Sequence, residues 1–239
     1  MSERETTHAA DQAGVAIRDA ASILLIDRGS SSPRLLMGRR RADNVFLPNK
    51  WVFPGGRLEK DDGSIATASD LDPHDEAALL SALPMPASSA FARALALAAV
   101  RELFEETGHA MAVPRAASSE SSVWPAFDTL GLVPTLAPLR LIARAITPPG
   151  RPRRYDTRFF IAMRDSVIEN AGSGDGEFTD LGWFTFEDAR ALDLPNITRR
   201  VLADLESVLA RPGLLSLGPV PYYYQQGDRF CRQLISRGP

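Results

Sequence analysis

The sequence predicts an α/β fold, and three patterns carry that reading. Apolar runs at residues 20–26 (Ala-Ala-Ser-Ile-Leu-Leu-Ile) and 34–39, parted by a Ser-rich turn at 27–33, read as a hairpin of two strands. An Ala-rich stretch from 88 to 107 holds neither Pro nor Gly and stops at Gly108, the pattern of a long helix with a Gly stop. A core strand over 153–163 and an amphipathic helix from 196 to about 210 then repeat the alternation later in the chain.

Composition narrows the function classes. The chain has 239 residues, 44% hydrophobic and 24% charged, an ordinary globular balance with enough length for a sizeable core. A net charge of −3 gives no general basis for a polyanion partner, so nucleic acid is not expected. The single cysteine, Cys231, excludes an internal disulfide and a cysteine zinc site, which suits a reducing cytosol. No apolar run approaches a membrane span, and the first residues are polar rather than signal-like, so a cytoplasmic protein without a membrane partner is expected. The reading divides the chain into a mobile tail at 1–14 and one domain at 15–211 with an insertion at about 63–87. A C-terminal extension at 212–239 should pack on the domain or on a partner subunit.

Within that domain, Arg39-Arg40-Arg41 follows the hairpin and could grip phosphates, although a solvated loop is the commoner outcome for such a run. Trp51-Val52-Phe53-Pro54-Gly55-Gly56-Arg57-Leu58-Glu59 reads as a short strand broken by Pro-Gly-Gly, whose backbone can turn sharply and offer a carbonyl to an ion. In the insertion, Asp72-Pro73 opens a short helix to Leu83 that Pro84-Met85-Pro86 ends; too small for its own core, it should pack against the site or a partner chain. Ser88 or Ser89 can cap the long helix, with Phe91, Leu95, Ala98 and Leu103 anchoring one face to the sheet and the glutamates outward. A strand is expected at 109–113, a short helix at 118–130 bearing Trp124 and Phe127, and a strand at 139–147. A Gly- and acid-rich loop at 169–180 precedes a strand at 181–184, a helical turn at 187–192 and the last long helix. Tyr222-Tyr223-Tyr224 and Phe230 read as packing or subunit-contact residues.

The end of the long helix, Arg101-Glu102-Leu103-Phe104-Glu105-Glu106-Thr107-Gly108, is unusual for its charge. Glu102, Glu105 and Glu106 fall on one side at i,i+3 and i,i+4 spacing. Like charges there repel, and they stand at the negative end of the helix dipole, each effect costing up to roughly 1 kcal/mol. A hard divalent cation such as Mg2+ or Mn2+ reverses that sign, because it takes carboxylate oxygens and leaves positions for water and phosphate. The plainer alternative is a solvated acidic helix end. A second informative stretch is Arg153-Arg154-Tyr155-Asp156-Thr157-Arg158, three cations within six residues and a ring to stack, suited to a diphosphate beside a base or simply to an exposed strand end.

Together the Gly-Gly turn and the acidic helix resemble the Nudix box, Gly-x5-Glu-x7-Arg-Glu-U-x-Glu-Glu-x-Gly-U with U apolar. Gly56, Asp62, Arg101, Glu102, Leu103, Glu105, Glu106 and Gly108 occupy its positions. Asp62 stands for the first Glu, His109 for the last apolar residue, and residues 63–100 fill the place of x7. The resemblance implies a Nudix-type α/β/α sandwich with a mixed sheet and a helical insertion inside the box. It implies a hydrolase that cleaves the diphosphate of a nucleoside diphosphate derivative with Mg2+ or Mn2+. Glu105 and Glu106 would be the principal metal ligands, Glu102 a ligand or proton acceptor, the Gly56 carbonyl a further ligand, and Arg101 the residue that orients the glutamates. Glu177 is the candidate general base, with Asp175 in reserve, and Arg39, Arg153, Arg154, Tyr155 and Arg158 the candidate substrate contacts. The long interruption, Leu35-Leu36-Met37-Gly38-Arg39 and the run from Arg154 to Phe160 are similar to the interrupted-box branch, the peroxisomal acyl-CoA diphosphatases. CoA or acyl-CoA is therefore the first substrate expectation. ADP-ribose or another nucleotide sugar, a damaged nucleoside triphosphate, and a non-catalytic nucleotide sensor are the alternatives. A homodimer is compatible with the family.

Overall fold

A computed structural model describes residues 14–29, 32–81, 88–115, 123–210 and 218–238. The expected tail, apart from Gly14, falls outside these residues, as do the end of the insertion at 82–87, the start of the helix expected at 118–130, and residues 211–217 of the extension. The elements run β1 (Ile17–Asp27), β2 (Arg34–Arg40), β3 (Trp51–Val52), β4 (Gly55–Arg57), α1 (Pro73–Ser81), α2 (Ser89–Thr107), β5 (Ala112–Pro114), α3 (Pro125–Thr129), β6 (Leu132–Pro134), β7 (Arg140–Ile146), β8 (Arg154–Met163), β9 (Phe178–Thr185), α4 (Phe186–Ala191), α5 (Asn196–Leu209), β10 (Val220–Gln226) and β11 (Arg229–Ile235).

The main sheet is mixed, in the order β11-β10-β7-β8-β1-β2-β3, with β4 pairing β1 and β9 pairing β2. β1 and β8 run parallel at its centre, Ile17 opposite Arg154 through Ile26 opposite Met163, while β2 and β7 flank them antiparallel. Because side chains alternate along a strand, β1 feeds two cores at once. Ile23 and Leu25 face α1, α2 and α3, whereas Leu24 and Ile26 face α4 and α5. The result is the expected α/β/α sandwich with a mixed sheet. Among the described residues no helix is long and apolar enough to cross a membrane.

Several local readings are corrected. The long helix α2 starts at Ser88 as its N-cap position, but that side chain makes no capping hydrogen bond. The helix is buried almost all round: Leu95, Ala98 and Leu103 are fully enclosed, and so are Ala96, Leu97 and Ala99. Of the three glutamates only Glu105 faces outward. Glu102 and Glu106 are buried because the turn before β4 closes over them. Only the short α3 remains of the helix expected at 118–130 among the described residues, with Phe127 buried and Trp124 just before it. The insertion's α1 docks on the sheet: Ala78 and Leu79 join the core, and the buried Asp75 accepts the Leu141 amide at 3.1 Å and pairs with Arg237.

The C-terminal extension contributes strands that the sequence reading did not assign. β10 pairs parallel with β7, Tyr222 opposite Arg144, and turns through Gly227-Asp228 into β11. A two-residue Gly-Asp turn between an aromatic run and an apolar one was the overlooked hairpin signal. Tyr222 and Tyr224 stack at 4.9 Å, and Tyr223 donates its hydroxyl to Asp204 of α5.

Asp27 ties the far end of β1 to its surroundings. It accepts from the Gly29 amide at 2.8 Å, Arg34 at 2.7 Å and Arg164 at 2.9 Å. The Gly29 hydrogen bond first, then the two guanidinium groups against the cost of burial, hold its carboxyl below the ordinary aspartate range. A depressed carboxyl contributes stability that is present above its unfolded pKa and lost as pH falls through the folded one. Thermal melts should therefore show stability falling between about pH 5 and about pH 2, with a shallower fall in Asp27→Asn. An unchanged acid limb in that variant would remove Asp27 from the account.

Candidate active site

β1 positions the Gly-Gly turn. Ser22 pairs with Gly55 and Ala21 with Gly56, and the Ser22 hydroxyl donates to the Pro54 carbonyl at 2.8 Å. The turn is thereby pressed against the last turns of α2. A Cβ on Gly56 would overlap the carboxylate of Glu102, so only glycine permits this approach. The Gly55 amide donates to Glu106 Oε2 at 2.7 Å.

Arg101 organises the acids. Its Nε and Nη2 fork onto Asp62 at 2.8 and 3.2 Å, and its Nη1 meets Glu102 and Glu105, each at 2.9 Å. Nη2 also donates to the Arg57 carbonyl at 3.0 Å. Asp62 in turn accepts the Glu59 amide at 2.8 Å. The chain leaves at Asp62, makes the insertion, and returns at Arg101 to the same point. The long interruption thus closes on a bidentate, buried ion pair, with Asp62 1% and Arg101 7% exposed.

One guanidinium does not neutralise this many carboxylates. Burial opposes the charge of Arg101, but hydrogen bonding to Asp62 and the nearby acids outweigh it and hold Arg101 firmly protonated. Burial pushes the Glu102 carboxyl up to about 7, against the pull of Arg101. Burial also raises Glu105, and it raises Glu106 furthest, with the charges of Glu102 and Glu177 adding to the effect. Glu106 Oε1 is buried with no hydrogen-bond partner. Ionising Glu102 and Glu106 together is therefore costly in the protein by itself.

Do these residues fit a divalent cation? Among the described residues no group of three or more His, Cys, Asp or Glu side chains is gathered as a ready metal site. Glu102 and Glu106 both meet the Gly55-Gly56 turn, while Glu105 lies on the flank, its side chain 45% exposed and paired with Arg101. The unpartnered Glu106 Oε1 and the Glu102 carboxylate at the same turn, which shares the single charge of Arg101 with Asp62 and Glu105, are hard oxygen donors short of counter-charge. Two of the three expected carboxylates fit a hard cation, and the third would have to rotate.

The loop before β9 docks on the end of α2. The Asp175 amide donates to the Glu105 carbonyl at 2.6 Å, and the Gly172 amide to the Gly108 carbonyl at 3.2 Å. Gly108 is left-handed at φ 73 and lies so close to the Gly172 carbonyl that a side chain would collide with it. Glu177 thereby reaches the site, close enough for its charge to raise both Glu102 and Glu106. Beside it opens a cleft of about 530 Å³, lined by Arg41, Phe46, Arg153, Asp175 and Glu177 among others.

The expected substrate contacts divide. Arg153 lines the cleft, and Tyr155 meets Phe46 edge-on at 5.2 Å beside it. Arg39 is exposed near Asp180, at 3.7 Å. Arg154 and Arg158 point into the fold instead and are corrected. Arg154 donates to the Thr147 carbonyl at 3.0 Å, and Arg158, 1% exposed, pairs with Asp19 and with Asp156 at 3.5 Å. Even-numbered positions of β8 face α2, a parity that a search for clustered cations overlooks. Phe46 was not foreseen, and a lone aromatic in a polar loop gave no signal for it.

No protein-family model matches the chain. A Caenorhabditis elegans protein that carries the name nudix hydrolase 7 is 30% identical over 162 residues, 62% of this chain. The chain spans about 45% of that relative's length. The crystal structure of a NUDIX hydrolase from Alicyclobacillus acidocaldarius is 27% identical, with a TM-score of 0.61 over 86% of this chain and 99% of that one. The fold is that of the Nudix hydrolases, and these likenesses support the Nudix hydrolase superfamily.

Removing Asp62 takes from the buried Arg101 its bidentate partner and leaves Nε without an acceptor. Asp62→Ala is expected to lose about 3 kcal/mol in urea unfolding, the cost typical of an orphaned buried charge. A loss under about 1 kcal/mol would mean that Glu102 and Glu105 alone hold the arginine.

Proposed function

We propose that this chain is a divalent-metal-dependent hydrolase of the diphosphate linkage in a nucleoside diphosphate derivative, with CoA or acyl-CoA as the first substrate. The observation that carries it is the pair Glu102 and Glu106, buried against the Gly55-Gly56 turn with Glu106 Oε1 unpartnered. Stability alone would not select such a pair, since each buried acid raises the cost of ionising the other.

When bound, Mg2+ or Mn2+ would supply a counter-charge to the diphosphate and acidify the attacking water. Glu102 and Glu106 would hold the ion with the Gly56 carbonyl, and Glu105 would join after leaving Arg101. Arg101 keeps Glu102 and Glu105 in register from below. Glu177 would accept the water proton as the water oxygen bonds to phosphorus, and the bridging oxygen would depart on the other phosphate. Arg41 and Arg153 line the cleft where phosphates can be met, and the Phe46 and Tyr155 rings offer a face or edge to a base.

The choice of CoA rests on the interrupted box and the Arg154 to Phe160 run, which are similar to the acyl-CoA branch. Since Arg154 and Arg158 are buried, that run supports the fold of β8 more than contact with a diphosphate. A Mg2+-dependent screen of CoA, acetyl-CoA, ADP-ribose and 8-oxo-dGTP, with products identified by mass, tests the substrate. Release of 3′,5′-ADP and a 4′-phosphopantetheine product supports CoA; turnover of ADP-ribose alone would replace it. Glu106→Gln should lower turnover at least about 100-fold while folding as stably as the parent. Full activity in that variant would overturn the metal-site assignment.

A further inference from the structure

Arg40 is not used by the mechanism above, yet it is the side chain that holds Glu177. It ends β2, and its Nη2 lies 2.6 Å from Glu177 Oε1 while its Nε donates to the Phe46 carbonyl at 3.0 Å. The backbone is shaped for this meeting. Arg39 pairs with Asp180 and Arg40 with Phe178, so Thr179 is an extra residue in β9, a bulge. Such a bulge bends the strand and re-aims the residues at its start. The Phe178 ring lies directly over Gly38, where any side chain would collide with it, which seats the residue next to Glu177 on β2. On the other side, the Asp175 amide is bound to α2, and Asp175 Oδ1 accepts the Glu177 amide at 2.8 Å. These contacts bring the backbone of Glu177 to the site, and among the described residues its carboxylate, 34% exposed, is tied to β2 by the Arg40 ion pair, which thereby also restrains the loop.

We propose that Arg40, which lines the cleft beside Arg41, is a positioning residue that acts on the reaction by fixing the carboxylate of Glu177 beside the glutamates of α2 rather than by binding the diphosphate. The inference rests on the reading of Glu177 as the base. Its physical reason is that a glutamate side chain free to rotate spends little time in a reactive geometry, and a displacement of about 1 Å can cost on the order of 100-fold in rate. The planar guanidinium suits the task because its Nε holds the Phe46 carbonyl while its Nη2 holds the carboxylate.

The test combines kinetics with amide exchange on the full chain. On CoA or ADP-ribose, whichever is turned over with Mg2+, Arg40→Ala should lower kcat about 10- to 100-fold with KM within about twofold, and Arg40→Lys should recover part of the loss. Arg40→Ala combined with Glu177→Gln should lose no more than Glu177→Gln alone, because the two act through one carboxylate. Losses that multiply, or a raised KM at constant kcat, would overturn the proposal and make Arg40 an independent or substrate-binding group. If the parent turns over no diphosphate, the proposed function fails, and exchange still decides the positioning. Amides of Asp175 and Glu177 should exchange several-fold faster in Arg40→Ala and recover in Arg40→Lys, with α2 unchanged. Unaltered exchange at those amides would overturn the restraint itself. Arg40→Gln serves the same comparison if the alanine variant does not fold.

Discussion

The buried guanidinium of Arg101 is the interaction on which the site depends. It fastens the departure of the insertion at Asp62 to its return on α2, and it also spaces Glu102 and Glu105. Without it, several carboxylates would share a dry pocket with no fixed cation. Arginine suits this place better than lysine because one planar group forks onto Asp62 and still reaches two glutamates and a carbonyl. The pairing explains how the motif tolerates a long interruption. Its two halves need only meet in space, and the ion pair makes them do so.

Around that centre the fold converts rigid pairing into site geometry. The parallel β1 and β8 anchor the sheet, β4 leans on β1, and α2 lies across both with an Ala-rich surface that lets backbones approach. Glycines allow two close approaches at the site, Gly56 against Glu102 and Gly108 against the Gly172 carbonyl. One face of α2 is thus closed by a turn and its end by a loop, each carrying a functional group. Among its described residues, the insertion that follows Asp62 supplies no group to this geometry. Its helix instead ties the outer strands through Asp75, Arg237 and Leu141.

Much of this was legible in the sequence, for physical reasons. Local periodicity identified β1, β2, α2, β7, β8 and α5, because each buries a face whose apolar spacing is unambiguous. The Gly-Gly turn and the Glu cluster were legible as costs, residues that local stability would not choose. Side-chain direction was not legible. Arg154 and Arg158 read as a cationic entrance, but strand parity draws both inside, Arg158 onto Asp19 and Asp156 and Arg154 onto the Thr147 carbonyl. The exposure of the glutamates was misread because the closing turn comes from a distant segment. The hairpin β10–β11 was missed because Pro221 and a run of tyrosines mask the alternation that marks a strand. Arg40 illustrates the same limit: three consecutive arginines look alike until a bulge in β9 decides which one meets Glu177.

The central claim is that Glu102 and Glu106, with Arg101 shared among Glu102, Glu105 and Asp62, form a site built to receive a further cation. Titration of the substrate-free chain with Mn2+ at neutral pH, followed by electron paramagnetic resonance, tests it most directly. The account predicts that bound Mn2+ is detected in the parent and lost in both Glu102→Gln and Glu106→Gln, with only partial weakening in Glu105→Gln. Absence of Mn2+ binding in the parent, or equal binding in Glu106→Gln, would contradict it.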